Sequence, residues 1–469
     1  MYLPGFSYLL KGRRPKSEMA RVMEQAAKLD GLAALVARFI PTETFAVAGE
    51  RDRVFTARVT FTAFLGQVLH RGSTCREAVR RVQTWFLATG RTPPDDNSSA
   101  YCQARNRLGL RVLRQAHDRL CRWFVDRTQP GDLWQGRTVK VVDCTGISMP
   151  DTASNRQCFP YAGGQRPGCG FPTGKLVGLF SLATGHLQRF AFAGWKTHDI
   201  PLLRQLVGWI EEGEIILGDR GFCGWGLIAL LAGKHVDVVV RLNQARHARK
   251  TRMHWVKPQR RAGWDRALWA ELPEQIQVRL VRYRVETPGF RTREVVLVTT
   301  LLDAVQYPDQ ALIELYERRW QVELNFRDIK TSLGLDVLRT KSEALVQKEL
   351  SLQVIAYNLV RGLMLESAHQ HHQPLYRLSF KGTVDTLRQW TPLLDRAADA
   401  KMLRSRFEDL LLALAADLVP YRPHRVEPRA VKRRPKTYQR LTAPRHQMVV
   451  SPSRRHNRSL SFQRSHPLS

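Results

Sequence analysis

The sequence predicts an α/β protein built on a mixed sheet, with a helical segment before it and helices and a basic tail after it. Three observations predict this. Between residues 136 and 243 the apolar runs come in the order strand, hairpin, helix, strand, helix, strand. Before residue 136 the apolar residues recur at helical spacing. After residue 420 the composition turns to Arg, Ser and Pro.

The helical segment spans 1–135. Thr74 and Glu77 in STCREAVRRVQTWF form a capping box ahead of an apolar-periodic run. A second helix pair follows in SSAYCQARNRL and LRVLRQAHDRLCRWFV, separated by Gly109. Arg105, Arg107, Arg111, Arg114, Arg119 and Arg122 stud this pair. They fit a basic face turned to a DNA groove and equally well a solvated helix face.

In RTVKVVDCTG, two-residue alternation puts Val139, Val141 and Asp143 on one face of a strand that Asp143 ends. LVGLFSLATGHLQRFAFAG reads as two strands turning at Thr184–Gly185. HDIPLLRQLVGWIEEG reads as an amphipathic helix with Asp199 near its start. EIILGDRGF is a buried strand ending at Asp219, and GWGLIALLAG and KHVDVVVRLN give a helix and a strand. Residues 244–309 change character: a basic run containing Trp255 and Trp264 precedes VRLVRYRVETPGFRTREVVLVTTLL, strand-like and turning at Pro288–Gly289. This predicts an inserted β subdomain. A long helical stretch then runs from about 309 to 370, and a further helical region spans 369–420.

The charge is large and uneven. There are 74 Lys and Arg against 42 Asp and Glu, a net +32. Residues 421–469 hold 13 of the cations and one acid, Glu427, and read as a disordered tail. An excess of +32 points to a polyanion, most simply nucleic acid. With 43% apolar residues the chain as a whole can bury a core. No apolar run approaches the roughly 18 residues a membrane span needs. The first 20 residues lack a secretory h-region, and seven cysteines without CxxC form neither a disulfide framework nor a zinc ribbon. These features predict a cytoplasmic protein. GGQRPGCGFPTG lacks the phosphate-loop lysine, and His369, His371 and His372 lack partners at metal-ligand spacing.

The chemistry concentrates in YERRWQVELNFRDIK. At about 100° per residue, with Tyr316 at zero, Arg319, Glu323 and Lys330 fall at about 300°, 340° and 320°. Ala311, Leu315, Val322, Phe326 and Ile329 fall at roughly 220–280°, an adjacent apolar stripe. The helix therefore packs on one side and points Tyr, Arg, Glu and Lys along a rim. A solvated i, i+4 pair accounts for Arg319 and Glu323 but not for Tyr316 and Lys330. Two strand-end aspartates and this glutamate suit two divalent metals about 3.5–4 Å apart, with Mg²⁺ preferring such oxygen ligands. The neighbouring Tyr316, Arg319 and Lys330 would hold phosphates.

The spacing Tyr316-x2-Arg319-x3-Glu323-x6-Lys330, with Asp143 in VVDCTG and Asp219 in GDRGF, resembles the DDE transposases of bacterial insertion sequences, specifically the IS-four family. The resemblance covers roughly residues 55–365. It implies a ribonuclease-H-like core formed by 136–243 and 310–368, with 244–309 as a β-rich insertion; residues 1–54 and the tail after 420 are not carried by it, and 1–135 is expected to be a helical DNA-end-binding domain. The 104 residues between Asp219 and Glu323 leave room for that insertion. It implies that Asp143, Asp219 and Glu323 are catalytic and hold the metal, Mg²⁺ with Mn²⁺ able to substitute, and that Tyr316, Arg319, Lys330 and Arg220 bind DNA phosphates. The implied function is cut-and-paste transposition at terminal inverted repeats, by a homodimer on DNA in the bacterial nucleoid. A catalytically dead, DNA-binding descendant is the competing reading. Some relatives hold a flipped base on a tryptophan of the insertion. Trp255, Trp264 and Trp269 are the candidates here, although core packing is the expectation for each, as it is for Trp320.

Overall fold

A computed structural model describes residues 31–46, 53–88, 90–162, 168–242, 251–285, 294–395, 397, 399–420, 444 and 447. The tail expected at 421–469 falls outside the described residues apart from 444 and 447, as does the Pro288–Gly289 turn.

Helices α1 (Gly31–Ala37), α2 (Ala57–Leu69), α3 (Cys75–Ala88), α4 (Ser99–Arg107) and α5 (Leu110–Val125) precede the first strand. The capping box forms: Glu77 N donates to Thr74 Oγ1 at 3.1 Å and Thr74 N to Glu77 Oε2 at 3.4 Å. On α5 the buried Leu113, Ala116, Leu120 and Phe124 recur at helical spacing. Its arginines stand opposite, exposed together with Arg107. Arg105 departs from the expectation, being buried in the helical core.

The strands are β1 (Val139–Ser148), β2 (Thr173–Ser181), β3 (Leu187–Gly194), β4 (Ile215–Gly218), β5 (Asp237–Arg241), β6 (Arg252–Val256), β7 (Gln275–Arg284) and β8 (Glu294–Thr299). They form one sheet in the order β3-β2-β1-β4-β5-β8-β7-β6. β1, β2 and β3 are antiparallel, β1, β4 and β5 are parallel, and β5, β8, β7 and β6 are antiparallel. The Thr184–Gly185 turn is as expected, with Gly185 at φ 72°. The β subdomain expected at 244–309 is not a separate body. Its strands extend the central sheet, because β8 finds an open edge on β5 and pairs there.

Between the strands lie α6 (Ala153–Cys158), α7 (Asp199–Arg204), α8 (Trp225–Ala232) and α9 (Arg266–Glu271). The helix expected from 199 is short and gives way to a 3₁₀ turn at Val207–Trp209. α7, α8 and α9 cover one face of the sheet through Val142, Leu202, Ile228 and Trp269. The other face carries Val139, Val141 and Leu217 and packs on the remaining helices.

Those helices are α10 (Asp309–Glu317), α11 (Trp320–Asp328), α12 (Glu343–Gln370), α13 (Phe380–Asp395) and α14 (Ala400–Ala416). α12 is buried on nearly every side and packs on α2, α5 and α14. Its buried polar groups are matched to the β2–β3 hairpin. Asn358 accepts from Leu187 N at 2.8 Å and donates to Leu187 O at 2.9 Å, and the Tyr357 hydroxyl donates to Gly185 O at 2.6 Å.

Candidate active site

The sequence reading puts Asp143 at the end of a strand, but it is the fifth of the ten residues of β1. β2 pairs along the whole of β1 and prolongs it past the point where β4 stops. The parallel register runs Val139↔Ile215, Lys140↔Ile216, Val141↔Leu217. Two residues further on come Asp143 and Asp219, so the two aspartates stand side by side on neighbouring strands, at the carboxyl edge of the parallel ladder. Asp219 turns the chain into a 3₁₀ turn, its Oδ1 accepting from Gly221 N at 2.8 Å. A Cβ at residue 221 would lie 3.0 Å from that oxygen. Asp143 Oδ1 accepts from Cys144 N at 2.8 Å.

Glu323 reaches this edge from α11, which packs on β1 through Val322 and Phe326. The Phe326 ring meets Phe180 edge to face at 4.9 Å. Arg319 Nη2 donates to Glu323 Oε1 at 3.0 Å, and the Arg319 guanidinium lies 5.7 Å from the Tyr316 ring. The helix is not continuous as the sequence suggested. Arg319 N, Gln321 N and Val322 N bond three residues back, tightening the turn between α10 and α11. A π-turn at Ile329–Leu333 follows, closed by Gly334 at φ 89°. Tyr316, Arg319 and Glu323 meet, and Lys330, the second residue of the π-turn, lies near Cys144 and Asp336.

The electrostatics tie the group together. Burial, with the charges of Asp219 and Glu323, pushes the Asp143 carboxyl up to about 6 against the pull of the Cys144 N–H and Arg319. Burial pushes the Tyr316 phenol up to about 12, opposed by Arg319 and Arg241. Burial lowers Lys330. Arg319 is half-buried among Tyr316, Glu323 and Asp143, and among the described residues its Nε–H has no acceptor. Arg220 is exposed beside Asp219.

Sequence reasoning passed over Lys175, Arg241 and Tyr283, and singled out Asp199 only as a helix start. Lys175 Nζ meets Asp199 Oδ1 at 2.7 Å. Asp199 Oδ2 would lie 3.6 Å from a Cβ at Gly221, and burial, with Asp199 and Asp143 nearby, pushes the Cys144 thiol up to about 12. The one sequence signal was Lys175 interrupting an apolar strand. Trp264 and Trp269 meet edge to face at 5.2 Å and leave Gly226 no room for a Cβ, and Trp255 packs on the same core cluster. Trp320 contradicts its expectation: it is 55% exposed, because the apolar stripe of α11 points the opposite way.

A family model described as "Transposase DDE domain" matches residues 134–359, which hold every residue named above. The chain is 27% identical over 412 residues to the transposase InsG for insertion sequence element IS4 of Escherichia coli (strain K12), covering 86% of this chain and 90% of that one. The two matches support a DDE transposase of the IS4 family. A putative transposase for insertion sequence element IS4SA of Synechocystis sp. (strain ATCC 27184 / PCC 6803 / Kazusa) is 24% identical to the transposase over 202 residues, 42% of this chain and 55% of that one. A solved synaptic complex of the piggyBac transposase with hairpin DNA overlaps 88% of this chain and 89% of that one, at 11% identity and a TM-score of 0.41. The transposase is a divalent-metal-dependent, DNA-directed enzyme. Among its described residues no helix is long and apolar enough to cross a membrane, and no three His, Cys, Asp or Glu side chains stand close enough together to hold a metal ion as they are.

Proposed function

We propose that this transposase moves its element by cut-and-paste, with Asp143, Asp219 and Glu323 as the carboxylates that hold two Mg²⁺ ions, Mn²⁺ substituting. The observation that carries the reading is the parallel register that sets Asp143 beside Asp219 and against the Arg319–Glu323 pair. A half-buried carboxyl raised by burial, and further by two neighbouring carboxylates, fits a cation between them. Asp143 and Asp219 each keep one oxygen outside the hydrogen bonds described above, while Glu323 must turn from Arg319 to complete the set. When bound, the ions supply an activated water and stabilise the leaving oxygen.

The chain's own residues orient the DNA. The unpartnered Nε–H of Arg319 is a donor for a phosphate oxygen, with a rigid fork that suits the scissile group. Tyr316, Lys330 and Arg220 flank it. In the first step a water oxygen bonds to phosphorus, the P–O3′ bond at the element end breaks, and the 3′-oxygen leaves as a hydroxyl. In the second step that hydroxyl bonds to a target phosphorus as a target P–O3′ bond breaks. The first step hydrolyses one phosphodiester and the second exchanges one phosphodiester for another, so no energy source is needed. Exposed Trp320 beside this group offers a face for an unstacked base. We read the sheet from β3 to β5 as a ribonuclease-H-like core, supported by its three antiparallel strands followed by two parallel ones. The helical segment before β1 is read as the part that binds the terminal inverted repeats, with the exposed arginines of α5 toward DNA. Two ends are paired by a homodimer, at the nucleoid.

The test incubates purified protein with a labelled end fragment, Mg²⁺ and a target plasmid, beside Asp219→Ala. Joined product from the wild type alone supports the reading. End binding without cutting by either protein would favour a DNA-binding descendant and overturn it.

A further inference from the structure

A cavity of about 510 Å³ opens between the helical segment and the strap that follows the π-turn. Its volume lies in the range of about 300–1,000 Å³ usual for ligand sites. Arg105 of α4, Thr340 of the strap and Gln353 of α12 line it. They are 8%, 5% and 4% exposed. Among the described residues each has a buried polar atom without a hydrogen-bond partner: Arg105 Nε, Thr340 Oγ1 and Gln353 Oε1. Buried polar atoms are rarely left so, and three of them around one cavity point to something that belongs there.

The charge says what. Among the described residues no carboxylate lies within ion-pair distance of Arg105; its Nη1 meets the Cys75 sulfur at 3.2 Å, and its guanidinium covers the Phe64 ring at 4.0 Å. Glu349, also on the wall, is taken up by the backbone N–H groups of Arg339 and Thr340 at 3.0–3.1 Å. Asp336 is paired with Arg71 at 3.6 Å. Arg339 and Lys341 add two more cations. A buried, unpaired guanidinium is costly unless an anion joins it. The Thr340 hydroxyl can donate, and turning the Gln353 amide over presents its NH₂ in place of the oxygen.

We propose that this cavity binds a phosphate group through Arg105, Thr340 and Gln353. The group comes from a DNA backbone or from free phosphate. The DNA source rests on the transposase reading, and the free-phosphate source does not.

The experiment uses the full chain and two variants, Arg105→Gln and Thr340→Val. Inorganic phosphate is titrated calorimetrically at constant ionic strength, alone and with an element-end duplex present. The expected result is saturable phosphate binding that weakens at least about tenfold in both variants. If Arg105→Gln fails to fold, Thr340→Val decides, since it removes the hydroxyl and keeps the shape. If the duplex displaces phosphate and Arg105→Gln lowers the salt slope of duplex binding by about one, the source is the backbone. If phosphate binds undisturbed beside the duplex, the source is free phosphate. No phosphate binding, or binding that Thr340→Val leaves unchanged, overturns the proposal. A wild type that binds phosphate but joins no DNA would fault the reaction reading and leave this site standing.

Discussion

Replacing Glu323 with Gln separates chemistry from folding and from DNA binding. Glu323 makes one charge-assisted hydrogen bond, 3.0 Å to Arg319, and its side chain is 37% exposed. Such a bond is worth about 1.5–3 kcal/mol when buried, and solvent screening at this exposure brings it to about 1 kcal/mol. The amide keeps the shape and one acceptor oxygen, so the loss is smaller still. Unfolding of 469 residues carries an entropy of about 1 kcal/mol/K, so the melting temperature falls by about 1 °C or less. Phosphodiester binding holds or tightens slightly, because a negative charge has left the site. Cleavage depends on the third carboxylate and falls at least about 10³-fold, about 4 kcal/mol of barrier. The assays are nicking of a labelled end fragment, gel shift of the same fragment, and thermal melting. Cleavage within tenfold of the wild type would refute the carboxylate assignment. A melting point lowered by many degrees would refute the claim that Glu323 is a functional rather than a structural group.

Trp320→Ala is expected to weaken binding of single-stranded end DNA by about 5- to 150-fold, the range for one lost base stack, with melting unchanged; equal affinity would mean that no base rests there. Asn358→Leu removes both side-chain bonds to Leu187 and should cost about 2–3 kcal/mol in urea unfolding; a cost below about 0.5 kcal/mol would show that α12 does not clamp the hairpin. His117, beside Asp118, Arg189 and Cys121, is pushed by burial from 6.5 down to about 4, so it stays neutral in the fold while the unfolded chain takes up a proton. Its contribution is present above about pH 6.5 and is lost as pH falls towards 4, about 3 kcal/mol in all. His117→Gln should flatten that part of the stability curve, and an unchanged curve would refute the assignment.

What the sequence showed and what it hid divide along local and non-local lines. Period-two alternation placed Asp143 on the face of Val139 and Val141, and that face meets α11. The i, i+3 and i, i+7 spacing of Tyr316, Arg319 and Glu323 survived a tightened turn, since the backbone stays helical through Arg318 and Arg319. The pairing of β8 with β5 was invisible: edge pairing is set by which strand edge is open in three dimensions. Trp320 was misjudged because hydrophobicity argued for the core when the helix face argued against it. Arg105 was misjudged the other way, as one of six similar arginines, because cation–π contact and a sulfur acceptor are not readable from spacing.

The strap from the π-turn to α12 joins the site to the helical segment. Ser148 at the end of β1 donates to Asp336 O at 3.1 Å and accepts from Leu338 N at 2.9 Å, so the strap is bonded to the strand that carries Asp143. On its other side Arg71 Nη1 donates to Thr331 O at 2.7 Å and Arg339 Nη1 to Ser73 O at 3.3 Å, which ties it to the loop after α2. Lys330 opens this strap and Thr340 closes it. A helical segment that engages DNA therefore has a short, hydrogen-bonded route to the carboxylate edge, through Arg71, the π-turn and Ser148.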